Sequence, residues 1–302
     1  WVPSGSSPSP SVSALNVSSV AAGSAFVCAV TANGAVTCAG DGTYRELGQL
    51  LPTVQPYNYT WTSYWNSLAY DGGCVWGQLT TCVNPTSGFL TVPGLSTNVA
   101  AVTAGGHPAC ALTKTGAVQC WGHNWQGQVG FGPAAQETNP GAVTGLSSGV
   151  VAITAGSAHT CALLDTTGVK CWGWNKYGQI GDGSNSDRLT PTAVSGLSSG
   201  VASIHAAGGY TCARLAAGPI KCWGANSVGQ LGNGTVVDKA TPTDVVGLPG
   251  DVSSIAVGSV ASHACAVLKN GSLNCWGQNF DGQIGDGAPL THTPAYVVGF
   301  GP

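Results

Sequence analysis

The feature that most narrows what this chain can fold into is a cysteine pair that recurs at a fixed period. Cys110, Cys161, Cys212 and Cys265 follow one another at spacings of 51, 51 and 53 residues, and each has a partner ten residues on: Cys120, Cys171, Cys222 and Cys275. Cys28 and Cys38 repeat that spacing, and Cys74 and Cys82 make a sixth pair at a spacing of eight. Self-similarity at about fifty residues is the mark of stacked supersecondary units, none of which buries a core alone. Within the unit from Val150 to Leu197, short β-branched runs alternate with Gly, Asp, Asn and Ser clusters, the pattern of strands joined by turns. The segment between paired cysteines reads as a hairpin: in CAVTANGAVTC, Gly34 takes the positive φ of a three-residue bulged turn. Gly116, Gly218 and Gly271 stand at the equivalent place, whereas Gly168 is displaced by one. This register sets the cysteines opposite each other, with Cα atoms about 4.5–5.5 Å apart, within reach of a disulfide.

A second motif follows each hairpin: WGHNWQGQVG from Trp121, WGWNKYGQIGDG from Trp172, WGANSVGQLGNG from Trp223 and WGQNFDGQIGDG from Trp276. A further extended piece, such as TPTAV at Thr190–Val194, closes the unit. Four short strands in such a unit are the content of a propeller blade. The succession AG-x-x-H-T-C-A-L, hairpin, C-W-G-x-N-x-x-G-Q-x-G-D-G and T-P resembles the regulator of chromosome condensation repeat family, in a cysteine-paired secreted form. The resemblance covers nearly the whole chain outside residues 50–90 and implies an all-β propeller of four-stranded blades. Six cysteine pairs point to six blades; familiar members of the family have seven, which is the alternative count.

Residues 1–11 are a Pro/Ser-rich linker, and residues 12–302 hold the propeller. The SPSP of Ser7, Pro8, Ser9 and Pro10 resembles the O-glycosylated linkers of plant and green-algal extracellular proteins. The first blade is expected from about Val12 to Gln49, with Ala39 in the tryptophan position and three extra residues before Gly48. Leu50–Leu90 breaks the repeat and crowds Tyr57, Tyr59, Trp61, Tyr64, Trp65, Tyr70 and Trp76 around Cys74 and Cys82. It reads either as a degenerate blade, which gives six blades, or as an insertion in a loop of the first.

Twelve cysteines in six close pairs lack the C-x-x-C spacing of zinc sites and read as disulfides, which persist in oxidising compartments. The expected location is therefore extracellular or cell surface. Each bridge closes a small loop and stabilises by roughly 2–3 kcal/mol. Charged residues are only 7% and the net charge is -3, so nine scattered Lys and Arg build no phosphate-neutralising patch; nucleic acid is not an expected partner. No apolar run is long enough to span a membrane, and a chain starting at Trp1 without methionine reads as processed or as part of a longer precursor. Asn16, Asn58, Asn233 and Asn270 head N-glycosylation sequons.

Candidate chemistry is sparse. GLSSG at 145–149 and 196–200 matches a nucleophile elbow but sits between short strands rather than on a strand-to-helix turn. His107, His159 and His263 precede hairpin cysteines where Phe26 and Tyr210 stand in other blades, an interchange that favours packing over metal. DGSNSD at 182–187 offers closely spaced oxygens without the rest of a calcium loop. Asn124, Asn175, Asn226 and Asn279, with the Gly-Gln that follows, recur in phase and are read as inter-blade hydrogen bonding. Between these fixed points Trp125, Trp174, Tyr177 and Phe280 project from equivalent loops, and with the Tyr57–Trp76 cluster they form the candidate binding surface. With twelve Asp and Glu in no recognisable constellation, the expectation is a protein that acts by binding, without catalysis, metal or cofactor. The leading reading is a structural or adhesive module of a cell wall, matrix or surface appendage, with other extracellular proteins or copies of itself as partners. A glycan-binding lectin and a protein-binding inhibitor or receptor ectodomain are the alternatives; a nucleotide-exchange role follows from the family name only, in the wrong compartment.

Overall fold

Among the described residues the short β-branched runs form strands of five to seven residues, grouped in five four-stranded sheets. The computed structural model describes residues 16–42, 44–48, 86–133, 137–258, 261–287 and 290–299. The first blade comprises β1 (Val17–Ala22), β2 (Phe26–Thr31), β3 (Val36–Gly40) and β4 (Thr86–Thr91), and the second β5 (Val99–Ala104), β6 (Pro108–Thr113), β7 (Val118–His123) and β8 (Glu137–Ala142). The third holds β9 (Val150–Ala155), β10 (His159–Leu164), β11 (Val169–Gly173) and β12 (Arg188–Ala193). The fourth holds β13 (Val201–Ala206), β14 (Tyr210–Leu215), β15 (Ile220–Gly224) and β16 (Lys239–Asp244), and the fifth β17 (Val252–Val257), β18 (His263–Leu268), β19 (Leu273–Gln278) and β20 (Leu290–Tyr296). Every sheet is an antiparallel meander. Successive blades pack in chain order with their first strands adjoining, the radial arrangement of a propeller.

The cysteines of each described hairpin are directly opposed and bonded: Cys28–Cys38, Cys110–Cys120, Cys161–Cys171, Cys212–Cys222 and Cys265–Cys275. Their Cα atoms lie 4.0–4.1 Å apart, closer than expected. The reason is register. Val36 N donates outward to Leu95 O, so Val30–Val36 and, two residues on, Cys28–Cys38 are non-hydrogen-bonded pairs, where strands pinch together. The hairpin turns are as read, with Gly34, Gly116, Gly218 and Gly271 at φ 80–110°. In the third blade Thr167 (φ 62°) takes that position, since the glycine is one residue late.

The first blade departs from expectation twice. It does not end near Gln49: its fourth strand is β4, paired with β3 through Cys38↔Leu90 and Thr37↔Thr91. The connection from β3 to β4 thus contains residues 49–85, and these, with Cys74, Cys82, Asn58 and the Tyr57–Trp76 cluster, lie outside the described residues, as does the 1–11 linker. Nor does the loop before Gly48 carry extra residues. Arg45 N donates to Gly42 O and Gly48 N to Arg45 O, as Gly127 N does to Asn124 O and Gly130 N to Gly127 O. Arg45, at φ 63°, stands where sister blades place glycine, and Glu46 stands where they place Gln128, Gln179, Gln230 and Gln283.

Each of four hydrophobic clusters spans one seam between consecutive blades. At its heart a fully buried tryptophan of the later blade donates its indole N–H to a main-chain carbonyl of the earlier one: Trp121 to Glu46 O, Trp172 to Gln128 O, Trp223 to Gln179 O and Trp276 to Gln230 O, at 2.8–3.0 Å. Thr160 and Thr211 donate a second bond to Gln128 O and Gln179 O. The indole lies so close to the earlier loop that a Cβ on Gly130, Gly181 or Gly232 would stand 2.5–2.7 Å from its Nε1.

The residue that opens each second strand plugs the same seam. It is Phe26, Pro108, His159 and Tyr210 in turn, each facing the glycine one residue after the tryptophan position; His263 holds the equivalent place in the fifth blade, which no described blade follows. His107, grouped with these from the sequence, falls one residue earlier and is exposed. His159 is fully buried, with Nε2 2.8 Å from Thr211 Oγ1. Because that hydroxyl spends its proton on Gln179 O, it must accept from His159, which fixes the Nε2–H tautomer. Nδ1 has no partner among the described residues, and burial pushes the imidazole down to about 3.

The outermost seams are uncovered by any described blade. Val99, Val150, Val201 and Val252 are at most 4% exposed, but Val17, at the same position of the first blade, is 49% exposed; Val20 is 67% exposed where Val102, Ile204 and Ile255 are at most 7%. At the other end Val267 is 37% exposed where Val30, Leu112 and Leu163 are at most 6%.

Two outcomes follow for stability, both read by denaturant unfolding without reductant. Ile204→Asp should cost more than about 3 kcal/mol, as a charge buried in a seam does, and Val20→Asp less than about 0.5 kcal/mol. Because His159 stays neutral in the fold while the unfolded chain takes up its proton near 6.5, stability should fall as pH drops from there toward about 3. His159→Phe, which places the residue of the first blade there, should reduce that slope by up to about 1.4 kcal/mol per pH unit.

Candidate functional site

The loop after each third strand is where sequence variation is displayed on a fixed frame. The recurring asparagine braces it from inside: Asn175 Oδ1 accepts from Ile180 N, and Asn226 Oδ1 from Leu231 N, both at 2.9 Å. Their Nδ2 groups donate to Ser184 O and Ser186 O, and to Thr235 O and Val237 O. For Asn175 and Asn226 these bonds stay within one loop rather than bridging blades as expected; the carbonyl of the following glutamine makes the bridge. The glutamine side chain turns back on the same loop, Gln128 Oε1 accepting from Gln126 N and Gln179 Oε1 from Tyr177 N. All of these loops leave one end of the sheets, together with the turns between first and second strands. The hairpin turns and the GLSSG connections occupy the other.

On that frame the predicted aromatics fall into three places rather than one surface. At the first seam Trp125 is 58% exposed and its ring lies 4.7 Å from His123, which neighbours His107 at 5.4 Å and Tyr44 at 5.0 Å. Gln128 Nε2 is 2.7 Å from His123 Nδ1, and burial, with His107 nearby, pushes His123 down to about 4. The buried Glu46 carboxylate accepts from Tyr44 N through Oε2 and faces His107 Nδ1 at 3.7 Å through Oε1.

Trp174 and Tyr177 form the second place, with ring centroids 5.2 Å apart and planes at 76°. They border an open cleft of about 440 Å³ that runs across the third, fourth and fifth blades. Phe280, at the tip of the fifth-blade loop, is 65% exposed and stands alone among the described aromatics.

Other predicted groups have structural employment. Asp182 accepts from Ser184 N and Oγ and from Arg188, and these hydrogen bonds, with the Arg188 charge, hold its carboxyl below the usual range against the opposing effect of burial. Asp187 Oδ1 accepts from Asn175 N at 2.8 Å. Leu146 and Leu197 of the GLSSG copies are buried, and no helix follows them. Among the described residues no group of three or more His, Cys, Asp or Glu is placed to hold a metal ion, and no helix is long and apolar enough to cross a membrane. Asn16 and Asn270 are exposed at the hairpin end; Asn233, at the aromatic end, has Oδ1 engaged by Thr235.

Sequence reasoning missed His123 as the neighbour of Trp125, with Tyr44 and His107 behind it, and the serines of the cleft. Counting positions from the buried asparagine would have found part of this: Trp125, Lys176, Ser227 and Phe280 share one position, and His123, Trp174, Ala225 and Gln278 another.

Models of the regulator of chromosome condensation (RCC1) repeat match residues 17–46, 99–128, 150–179 and 252–283, and in a second register 115–163, 169–214 and 222–267. The ultraviolet-B receptor UVR8 of Arabidopsis thaliana is 31% identical over 202 residues, which are 66% of this chain and 46% of the receptor. The human E3 ubiquitin-protein ligase HERC2 is 31% identical over 191 residues, 62% of this chain and 4% of the ligase. The chain thus spans less than half the length of either relative. Human WBSCR16 superposes with a TM-score of 0.73 at 22% identity, covering 94% of this chain and 67% of the other. Prp20p of Saccharomyces cerevisiae, characterised for its binding properties to Gsp1p and histones, superposes at 0.69 and 22% identity over 93% of this chain and 63% of its own. Family models in phase with the blades and superposition of the fold lead to one conclusion: the chain belongs to the regulator of chromosome condensation repeat family.

Proposed function

We propose that this chain is a secreted or cell-surface propeller that works by binding other extracellular proteins or copies of itself, as a structural or adhesive component of a wall, matrix or surface appendage. The observation that carries the reading is the pair Trp125 and Phe280, 58% and 65% exposed at the same position of loops held rigid from within. Large aromatics presented on an ordered scaffold are what protein interfaces use as anchors. The five cross-strand disulfides among the described residues support an oxidising compartment, and exposed Asn16 and Asn270 put candidate glycans at the end away from the aromatics. A protein partner also agrees with the family, since Prp20p has this fold and binds Gsp1p and histones. The partners themselves do not transfer: nine Lys and Arg in 302 residues leave little for an acidic surface.

The experiment is native mass measurement on material isolated from its source without reduction, beside the Trp125→Ala/Phe280→Ala double variant. The wild type is expected in high-mass assemblies, with the variant shifted at least tenfold toward the free chain. A wild-type monomer that copurifies with nothing would remove the structural reading. Labelling of the ten described hairpin cysteines by a thiol reagent before reduction would remove the compartment.

A further inference from the structure

The cleft beside Trp174 is built for a neutral polyhydroxylated ligand. Its wall is the Trp174–Tyr177 corner, and its floor is the main chain of Gly208 and Gly209. The main chain beneath both rings is anchored: the Trp174 amide N–H donates to Ala158 O at 2.9 Å and the Tyr177 amide N–H to Gln179 Oε1 at 3.0 Å. The floor is bare, and a Cβ on Gly209 would crowd the Tyr177 ring at 3.2 Å. Around this apolar corner stand the hydroxyls of Ser157, Ser227 and Ser262, none of which has a hydrogen-bond partner among the described residues. Asp238 lines the same cleft; its Oδ1 accepts from Asn226 N at 2.7 Å, which leaves Oδ2 to a ligand.

We propose that this cleft binds a carbohydrate, one or two pyranose rings laid on Trp174 and Tyr177 with their hydroxyls bonded to Ser157, Ser227, Ser262 and Asp238. The chemistry selects that class. Unengaged hydroxyls and a carboxylate oxygen disfavour a purely apolar guest, because they would be desolvated without partners. The one charged lining residue is the Asp238 carboxylate, which disfavours an anion, and the nearby Lys176 ammonium is spent over the Tyr177 ring, 5.9 Å from its centroid, and does not line the cleft. Sugar rings present C–H faces to the aromatics and groups that both donate and accept to the serines, and about 440 Å³ lies within the range of small-molecule sites. The inference rests on the cleft alone and stands apart from the protein-partner reading, which uses Trp125 and Phe280.

The test titrates the disulfide-intact protein with lactose and cellobiose, and with a neutral glycan array, following saturation transfer to the sugar protons. Millimolar binding is expected, weakened at least tenfold by Trp174→Ala, retained by Trp174→Phe and unchanged by Trp125→Ala. Ser227→Trp should abolish it by filling the cleft; Trp125 occupies the equivalent position of the second blade, so the loop accommodates the change. This second variant keeps the test decisive if Trp174→Ala fails to fold. Absence of binding to any neutral glycan, or binding that follows Trp125 rather than Trp174, overturns the proposal. So does tighter, Trp174-dependent binding of a proline-rich peptide, which would make the cleft a peptide groove.

Discussion

An indole N–H meeting a main-chain carbonyl of the preceding blade recurs at every described seam, and the rest of each blade is arranged to make that meeting possible. The carbonyl must be held still in a loop without strand neighbours. The buried asparagine and the returning glutamine amide do this, at the cost of two polar side chains taken out of water: Asn175 is satisfied within the loop, whereas Gln179 engages only its Oε1 and leaves Nε2 without a partner among the described residues. The indole must approach main chain closely, which requires glycine at 130, 181 and 232. One hydrogen bond of this kind contributes only about 1 kcal/mol net. The larger gain is the apolar area of a tryptophan with no exposed surface, and the bond lets the ring be buried without an orphaned donor.

That logic explains why the fold was so legible. Cysteine spacing gave the hairpin and its register, because a two-residue side-chain period admits few ways to face Cys161 with Cys171. The tryptophan motif marked each seam. What misled was alignment by glycine alone. Matching Gly48 to the glycine that precedes the motif's glutamine created three residues too many, whereas Arg45 occupies the left-handed position that this glycine holds elsewhere. Histidine identity misled in the same way: His107 is next to the plugging position, which Pro108 fills. A repeat is conserved in backbone geometry before residue type, so a single letter is a poor ruler where another residue tolerates the same conformation.

The candidate surface was legible only in part. That Trp125, Trp174, Tyr177 and Phe280 lie on loops at one end of the blades followed from the repeat. That they divide into an imidazole-backed ring, a corner over a cleft and a lone tip did not, because the division depends on neighbours from the next blade. Ser262 and Gly208 reach the Trp174 cleft from other blades, and Tyr44 crosses the first seam to His107 and to His123, the ring beside Trp125. Radial stacking sets residues about fifty positions apart side by side, and period analysis predicts the positions but not what their side chains do together.

The first blade shows how the repeat responds where no described blade precedes it. In the second to fifth blades, the tryptophan and the two apolar residues of the first strand act as one unit against the blade before. In the first blade Ala39 replaces the tryptophan, and Val17 and Val20 keep their apolar character while losing their cover. The hydrogen-bonding half of the seam is gone and the apolar half remains. An unpaired buried indole N–H penalises a poorly matched neighbour, so its loss makes that face less selective about what packs on it, while exposed valines still reward coverage. Each hairpin is closed by its own disulfide and each hydrophobic cluster lies between its own two blades, so an uncovered end face leaves the seams behind it intact.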